Sequence, residues 1–89
     1  MAKYNLTIKP SATKEIESIS SKKDRSAIVT KIFSLADNPR PVEATKLANQ
    51  EKYRIRQGKF RILYQIFDAI VEVNIVKVGH RRDVYRRKH

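Results

Sequence analysis

The chain has 89 residues, with 20 Lys and Arg against 9 Asp and Glu, two His and no Cys. That length supports one domain, residues 1–89, with one modest core, and the absence of cysteine excludes a disulfide framework and any thiolate metal site. The formal net charge of +11 is uneven, since residues 1–51 hold nine basic and six acidic side chains and residues 52–89 hold eleven and three, so the C-terminal half carries a field suited to nucleic acid or an acidic protein.

Residues 3–9, KYNLTIK, alternate Tyr4, Leu6 and Ile8 with polar neighbours, the period of a half-buried strand that ends at Pro10. Ser11 can then cap a helix through SATKEIESISSKK, with Ala12, Ile16 and Ile19 at helical spacing. Asp24 can cap a second helix whose Ile28, Ile32, Leu35 and Ala36 share a face and which must stop before Pro39. The two form an αα-hairpin. Residues 39–51, PRPVEATKLANQE, have two prolines and no sustained period, and are expected to be a connection anchored by Val42 and Leu47.

Tyr53–Arg56 and Phe60–Phe67 flank Gln57-Gly58-Lys59, where glycine can supply the positive φ of a tight hairpin. Phe67-Asp68-Ala69-Ile70 forms a second reversal into the β-branched run IVEVNIVKVG. The tail HRRDVYRRKH has room for a turn or two of helix, with Asp83 and Arg87 at i and i+4. The expected fold is α+β in the order βααβββ: an antiparallel meander with an N-terminal strand added, and the helical hairpin on one face. No stretch approaches the roughly 18 apolar residues of a membrane span, and MAKYNLTIKP lacks the apolar segment of a signal peptide, so a soluble, cytoplasmic protein without membrane contact is expected.

Two-residue loops in both hairpins would put Tyr53, Ile55, Ile62, Tyr64, Ile66, Val71, Val73 and Ile75 on the helix-covered face. Arg54, Arg56, Arg61, Leu63, Gln65, Glu72, Asn74, Val76, Val78 and His80 would lie on the other. A row of arginines on one sheet face repels itself, and Glu72 and Asp83 are too few to neutralise Arg54, Arg56, Arg61, Arg81 and Arg82. A phosphate would relieve that repulsion, because the guanidinium fork matches phosphate oxygens and stays charged.

The run KLxxxxxYRIRxGxFRILYQI, followed by VGHRRDVYRR, resembles the RelE toxins of the RelE/ParE superfamily over Tyr4 to Arg87. The resemblance implies a RelE-like fold and a metal-independent, cofactor-free endoribonuclease that cuts messenger RNA in the decoding site of the ribosome. It also implies a cognate acidic, RelB-like antitoxin. By position, Arg61 matches the family arginine at the scissile phosphate, Arg81 the one at the leaving oxygen, and Tyr85 the tyrosine that stacks on or orients a nucleotide. Lys52, Lys59, Arg54, Arg56 and Arg82 would bind the RNA backbone. Arg54 and Arg56 stand where well-studied RelE proteins have lysines, and an arginine with pKa above about 12 cannot act as general base. Histidine titrates at about 6.5, which makes His80 the candidate replacement, ahead of Lys52 and Lys59. Glu43 falls where some superfamily relatives have a catalytic carboxylate, and is expected here to be an exposed loop acid. Two other functions fit the same residues: a ParE-like toxin that inhibits DNA gyrase, and a non-catalytic RNA-binding module using Tyr85 as a stacking platform.

Overall fold

The computed structural model describes residues 3–47 and 51–80. Strand β1 is Asn5–Ile8, helices α1 and α2 are Pro10–Glu17 and Lys22–Asp37, and four further strands follow: β2 Thr45–Lys46, β3 Lys52–Gln57, β4 Phe60–Phe67 and β5 Glu72–His80. They form one five-stranded sheet in the order β1-β5-β4-β3-β2. The meander β3-β4-β5 is antiparallel, whereas β1 lies parallel to β5, Leu6 beside Val73. This is the expected α+β fold with one element added: β2 pairs Thr45 with Arg54 and Lys46 with Tyr53, inside the segment expected to be a plain connection. Two residues are too few to carry a readable period.

Helix α1 starts one residue before the expected cap. Pro10 occupies its first turn, where a missing N–H costs nothing, and Lys9 is the N-cap without a side-chain bond. It is also shorter than SATKEIESISSKK suggests. The Ser18 hydroxyl donates to the Glu15 carbonyl at 2.8 Å, so the serine-rich segment competes with the helix and ends it. In α2, Ser21 rather than Asp24 is the N-cap, its hydroxyl accepting from the Asp24 N–H at 3.1 Å. The helix stops at Asp37, before Pro39.

The core lies between the helices and one sheet face. Ala12, Ile28, Ile32 and Leu35 from the helices meet Ile55, Ile62, Tyr64, Val73 and Ile75, all at 0–1% exposure. Each fully buried aliphatic side chain contributes about 1.5–3 kcal/mol. Tyr64 keeps its polar end satisfied by donating to the Pro39 carbonyl at 2.7 Å, and stacks on Tyr53 with ring centroids 5.7 Å apart. Val42, expected as an anchor, is fully exposed; it is a central residue of the turn that the Ala44 N–H closes on the Pro41 carbonyl at 2.9 Å. Val71, expected in the core, instead takes φ 52 at the end of a 3₁₀ turn over Asp68–Ile70. The second reversal is thus a four-residue loop between Phe67 and Glu72, a change of two that preserves facing in the adjoining strand residues.

Beta 1 pairs with β5 only as far as Ile75, so the rest of that edge needs another partner. Glu15 of α1 supplies it. Its carboxylate accepts the Val78 N–H and the Lys77 ammonium, both at 2.8 Å.

Candidate nucleic-acid interface

The β3–β4 hairpin turns through Gly58 and Lys59, with Gly58 at φ 60 as a primed two-residue turn requires. That turn sets the register. Arg56 lies directly opposite Arg61, Arg54 opposite Leu63 and Lys52 opposite Gln65, so Lys52, Arg54, Arg56 and Arg61 share the face away from α1 and α2. Arg56 is exposed, Lys52 and Arg54 are half-buried, and Arg61 is 6% exposed. Lys59 sits exposed in the turn itself. Opposed like charges destabilise a sheet, and burial of a guanidinium adds a desolvation cost. Residue 79, opposite Arg61, is a glycine, so no side chain there faces the guanidinium.

His80 does not join this face. Between β4 and β5 the register shifts, with Leu63 opposite Lys77 but Tyr64 opposite Ile75, so Val76 is an extra residue bulged from β5. Beyond the bulge every side chain changes sides. Val78 pairs with Ile62 and is buried in the core, and His80 pairs with Phe60, meeting its ring edge-on at 5.8 Å. The imidazole lines a cavity of about 390 Å³ that it shares with Ser18, Ser21, Asp24 and Phe60 on the helix side. The expected facing of Val78 and His80 is thereby corrected, because a bulge moves side chains by the one residue that loop lengths do not reveal. Arg81, Arg82 and Tyr85 lie outside the described residues.

Of the nearby acids, Glu72 is on the arginine side of the sheet but at its far end, accepting from the Thr7 hydroxyl at 3.0 Å. Glu43 is closer. With Thr45, Arg54 and Arg56 it lines a cleft of about 300 Å³. Its own backbone N–H, and then the Lys31 ammonium at 3.2 Å, hold its carboxyl below the usual range. The proximity of Glu43 and Thr45 to the arginines was not anticipated from the sequence, although their i, i+2 spacing in PVEATK is that of one face of an extended segment. No group of three or more His, Cys, Asp and Glu side chains placed to hold a metal occurs among the described residues.

A second polar cluster stands at the other end of β3. Arg40 forks onto Asp68 with contacts of 2.8 and 3.2 Å and donates through Nε to the Tyr53 hydroxyl at 3.0 Å, while Tyr4 donates to Asp68 at 2.7 Å. Arg40 first, and Tyr4 second, hold the Asp68 carboxyl below its usual range. The cluster ties the N-terminal strand, the α2–β2 connection and the β4–β5 turn together, and leaves the arginine face untouched.

Comparison with known proteins agrees with this architecture. The family model described as the ParE toxin of type II toxin–antitoxin systems matches residues 6–85. Toxin RelG of Mycobacterium tuberculosis is 46% identical over 35 residues, 39% of this chain, and the match spans 40% of that relative's length. Among solved structures, the RelBE2 toxin–antitoxin complex of M. tuberculosis has a similar chain with a TM-score of 0.79 at 25% identity, covering 91% of this chain and 94% of that one. The E. coli RelBE complex gives 0.74 at 28% identity over 86% and 95%. The isolated E. coli RelE toxin gives 0.76 at 25% over 97% and 88%. A family match over nearly the whole chain, on a fold shared with RelE toxins, makes this protein a member of the RelE/ParE superfamily and the toxin of a type II toxin–antitoxin system.

Proposed function

We propose that this toxin is a ribosome-dependent endoribonuclease that cleaves messenger RNA in the decoding site. The observation that carries the reading is the arginine face: Arg54, Arg56 and Arg61 gathered on one side of a hairpin whose turn forces them together. The ribose 2′-OH attacks its own 3′ phosphate in line. The 2′-O–P bond forms, the P–O5′ bond breaks, and the products are a 2′,3′-cyclic phosphate and a 5′-OH. The nucleophile belongs to the RNA, so the protein supplies orientation and positive charge for the developing phosphorane. Arg61 holds the scissile phosphate, Arg81 stabilises the leaving oxygen and Tyr85 orients the nucleotide. Lys52, Arg54, Arg56, Lys59 and Arg82 hold the backbone on either side. His80, whose ring lies across the sheet against Phe60, carries no proton transfer in this scheme. Solvent takes the 2′-OH proton while the arginines stabilise the attacking 2′-alkoxide, and solvent then protonates the departing 5′-oxygen to give the 5′-OH.

The resting partner is an acidic, RelB-like antitoxin, as the toxin–antitoxin complexes of similar chains suggest. A second reading is inhibition of DNA gyrase by protein contact, favoured by the description of the matching family model. A purified translation reaction and a gyrase supercoiling assay, run with the same protein, separate the two. Cleavage of the message at the ribosome's decoding position without gyrase inhibition is the expected result; gyrase inhibition with an intact message overturns the nuclease reading.

A further inference from the structure

The surroundings of Arg61 are lopsided. Arg56 stands across β3, Leu63 follows two residues along β4, and Gly79 lies across β5. Among the described residues, the strand positions that adjoin Arg61 on this face thus carry a side chain everywhere except at Gly79. Lys77, opposite Leu63 on the same side, is drawn off to the edge of β5, where its ammonium lies 2.8 Å from Glu15. The bulge at Val76 contributes too, because it turns Gly79 rather than the His80 imidazole toward the arginines. The backbone itself does not call for glycine here. Of the two glycines, Gly58 takes the positive φ, whereas Gly79 is paired within β5. Glycine weakens a strand, and inside one it marks a place where a ligand or another backbone comes close.

We propose that Gly79 is a positioning residue for RNA cleavage: its bare Cα lets a backbone phosphate descend to the level of the sheet and meet the Arg61 guanidinium from the β5 side. The inference rests on the endoribonuclease reading of this face. Arg61 is only 6% exposed, so whatever stands beside it decides whether a phosphate reaches it. A methyl group at residue 79 would lift the phosphate by about 1.5 Å, the length of one C–C bond. In-line displacement tolerates little of this, since a misplacement of about 1 Å costs roughly 10²-fold in rate. Attraction of the RNA to the rest of the basic surface does not depend on that contact, so rate and affinity separate. Stability moves the other way, because alanine and valine suit a regular strand better than glycine does.

Two measurements test this independently. In the first, Gly79→Ala and Gly79→Val are compared with the wild type. Single-turnover cleavage of ribosome-bound message should fall roughly tenfold for the alanine variant and 10²-fold or more for the valine variant. The toxin concentration that gives half the maximal rate should change less than about threefold, and the melting temperature should hold or rise. Cleavage by either variant at the wild-type rate overturns the assignment. So does a half-saturating concentration that rises as far as the rate falls, or a lower melting temperature in both variants, the mark of a strand that needs glycine for its fold. In the second, the full chain is titrated with a DNA tetranucleotide, which has phosphates but no 2′-OH, while the Arg61 Nε–H resonance is followed. The wild-type resonance should move saturably, and that of Gly79→Val only at several-fold higher concentration. A wild-type resonance that stays still, or equal responses, overturns the proposal. The titration needs no cleavage. A chain that passes it but cuts no message refutes the nuclease reading and leaves Gly79 as the approach to Arg61, whereas cutting with equal titrations does the reverse.

Discussion

Arg61 is where the chemistry and the register meet. Its side chain is buried opposite Gly79, with the exposed Arg56 across the hairpin, so a phosphate at this point would meet one buried and one solvated positive charge. Under the proposed mechanism Arg61→Ala removes a charge-assisted contact that strengthens as the phosphorane forms, and cleavage should fall by roughly 10²- to 10³-fold, about 3 to 4 kcal/mol. Ribosome affinity should change far less, because the remaining basic residues still supply the field. Rate and binding measured on the same preparation separate the two effects. His80→Gln should slow cleavage less than about tenfold, the lower bound for a positioned general acid or base being roughly 10². A loss as large as that of Arg61→Ala would show that the imidazole reaches the reacting ribose from the helix side.

At the scale of elements, the arginine face depends on one turn and one bulge. Gly58 holds φ 60 with nothing within 4 Å of a Cβ placed on it, so Gly58→Ala meets no clash and pays only for its backbone conformation, about 1–2 kcal/mol. By thermal melting that corresponds to roughly 4–8 °C for each kcal/mol in a domain of this size. The turn was legible in the sequence because a glycine between alternating runs specifies the loop length, and the loop length specifies which residues face together; the arginine face followed directly. The bulge was not legible. Ile75 and Val76 are both β-branched, so the alternation that would mark an extra residue is absent, and Val78 and His80 were expected on the wrong side. Strand β2 and the cleft beside it escaped for a related reason: two residues cannot display a period, and only the tertiary pairing of Thr45 with Arg54 reveals them.

The molecule as a whole is held by two separate devices, the apolar core and the polar cluster around Arg40. Tyr64→Phe leaves the buried Pro39 carbonyl without its donor, which should cost about 1–3 kcal/mol and lower the melting temperature without altering the arginine face. Asp68 responds to pH instead. Its folded carboxyl lies below the usual range because of Arg40 and Tyr4, so its contribution to stability is complete above its unfolded pKa, about 3.9, and is lost as pH falls through the lower folded value. The melting-temperature difference between wild type and Asp68→Asn should therefore be constant near neutrality and shrink below about pH 4. A difference that grows in acid would contradict the ion-pair assignment.

The +11 charge acts at this scale as well. If the antitoxin is the acidic chain proposed above, its binding should weaken as salt rises, since such a chain on a basic surface draws part of its affinity from screened Coulomb attraction. Calorimetry at two ionic strengths checks it, and an affinity indifferent to salt would remove charge from the account of the complex. The central claim, that the RNA supplies its own nucleophile to an arginine face, is tested most directly by programming ribosomes with a message carrying a single 2′-deoxyribose at the mapped cleavage nucleotide. The account predicts that the ribose message is cut to a 2′,3′-cyclic phosphate while the deoxy message stays intact at that position; cutting of the deoxy message at the ribose rate would contradict it.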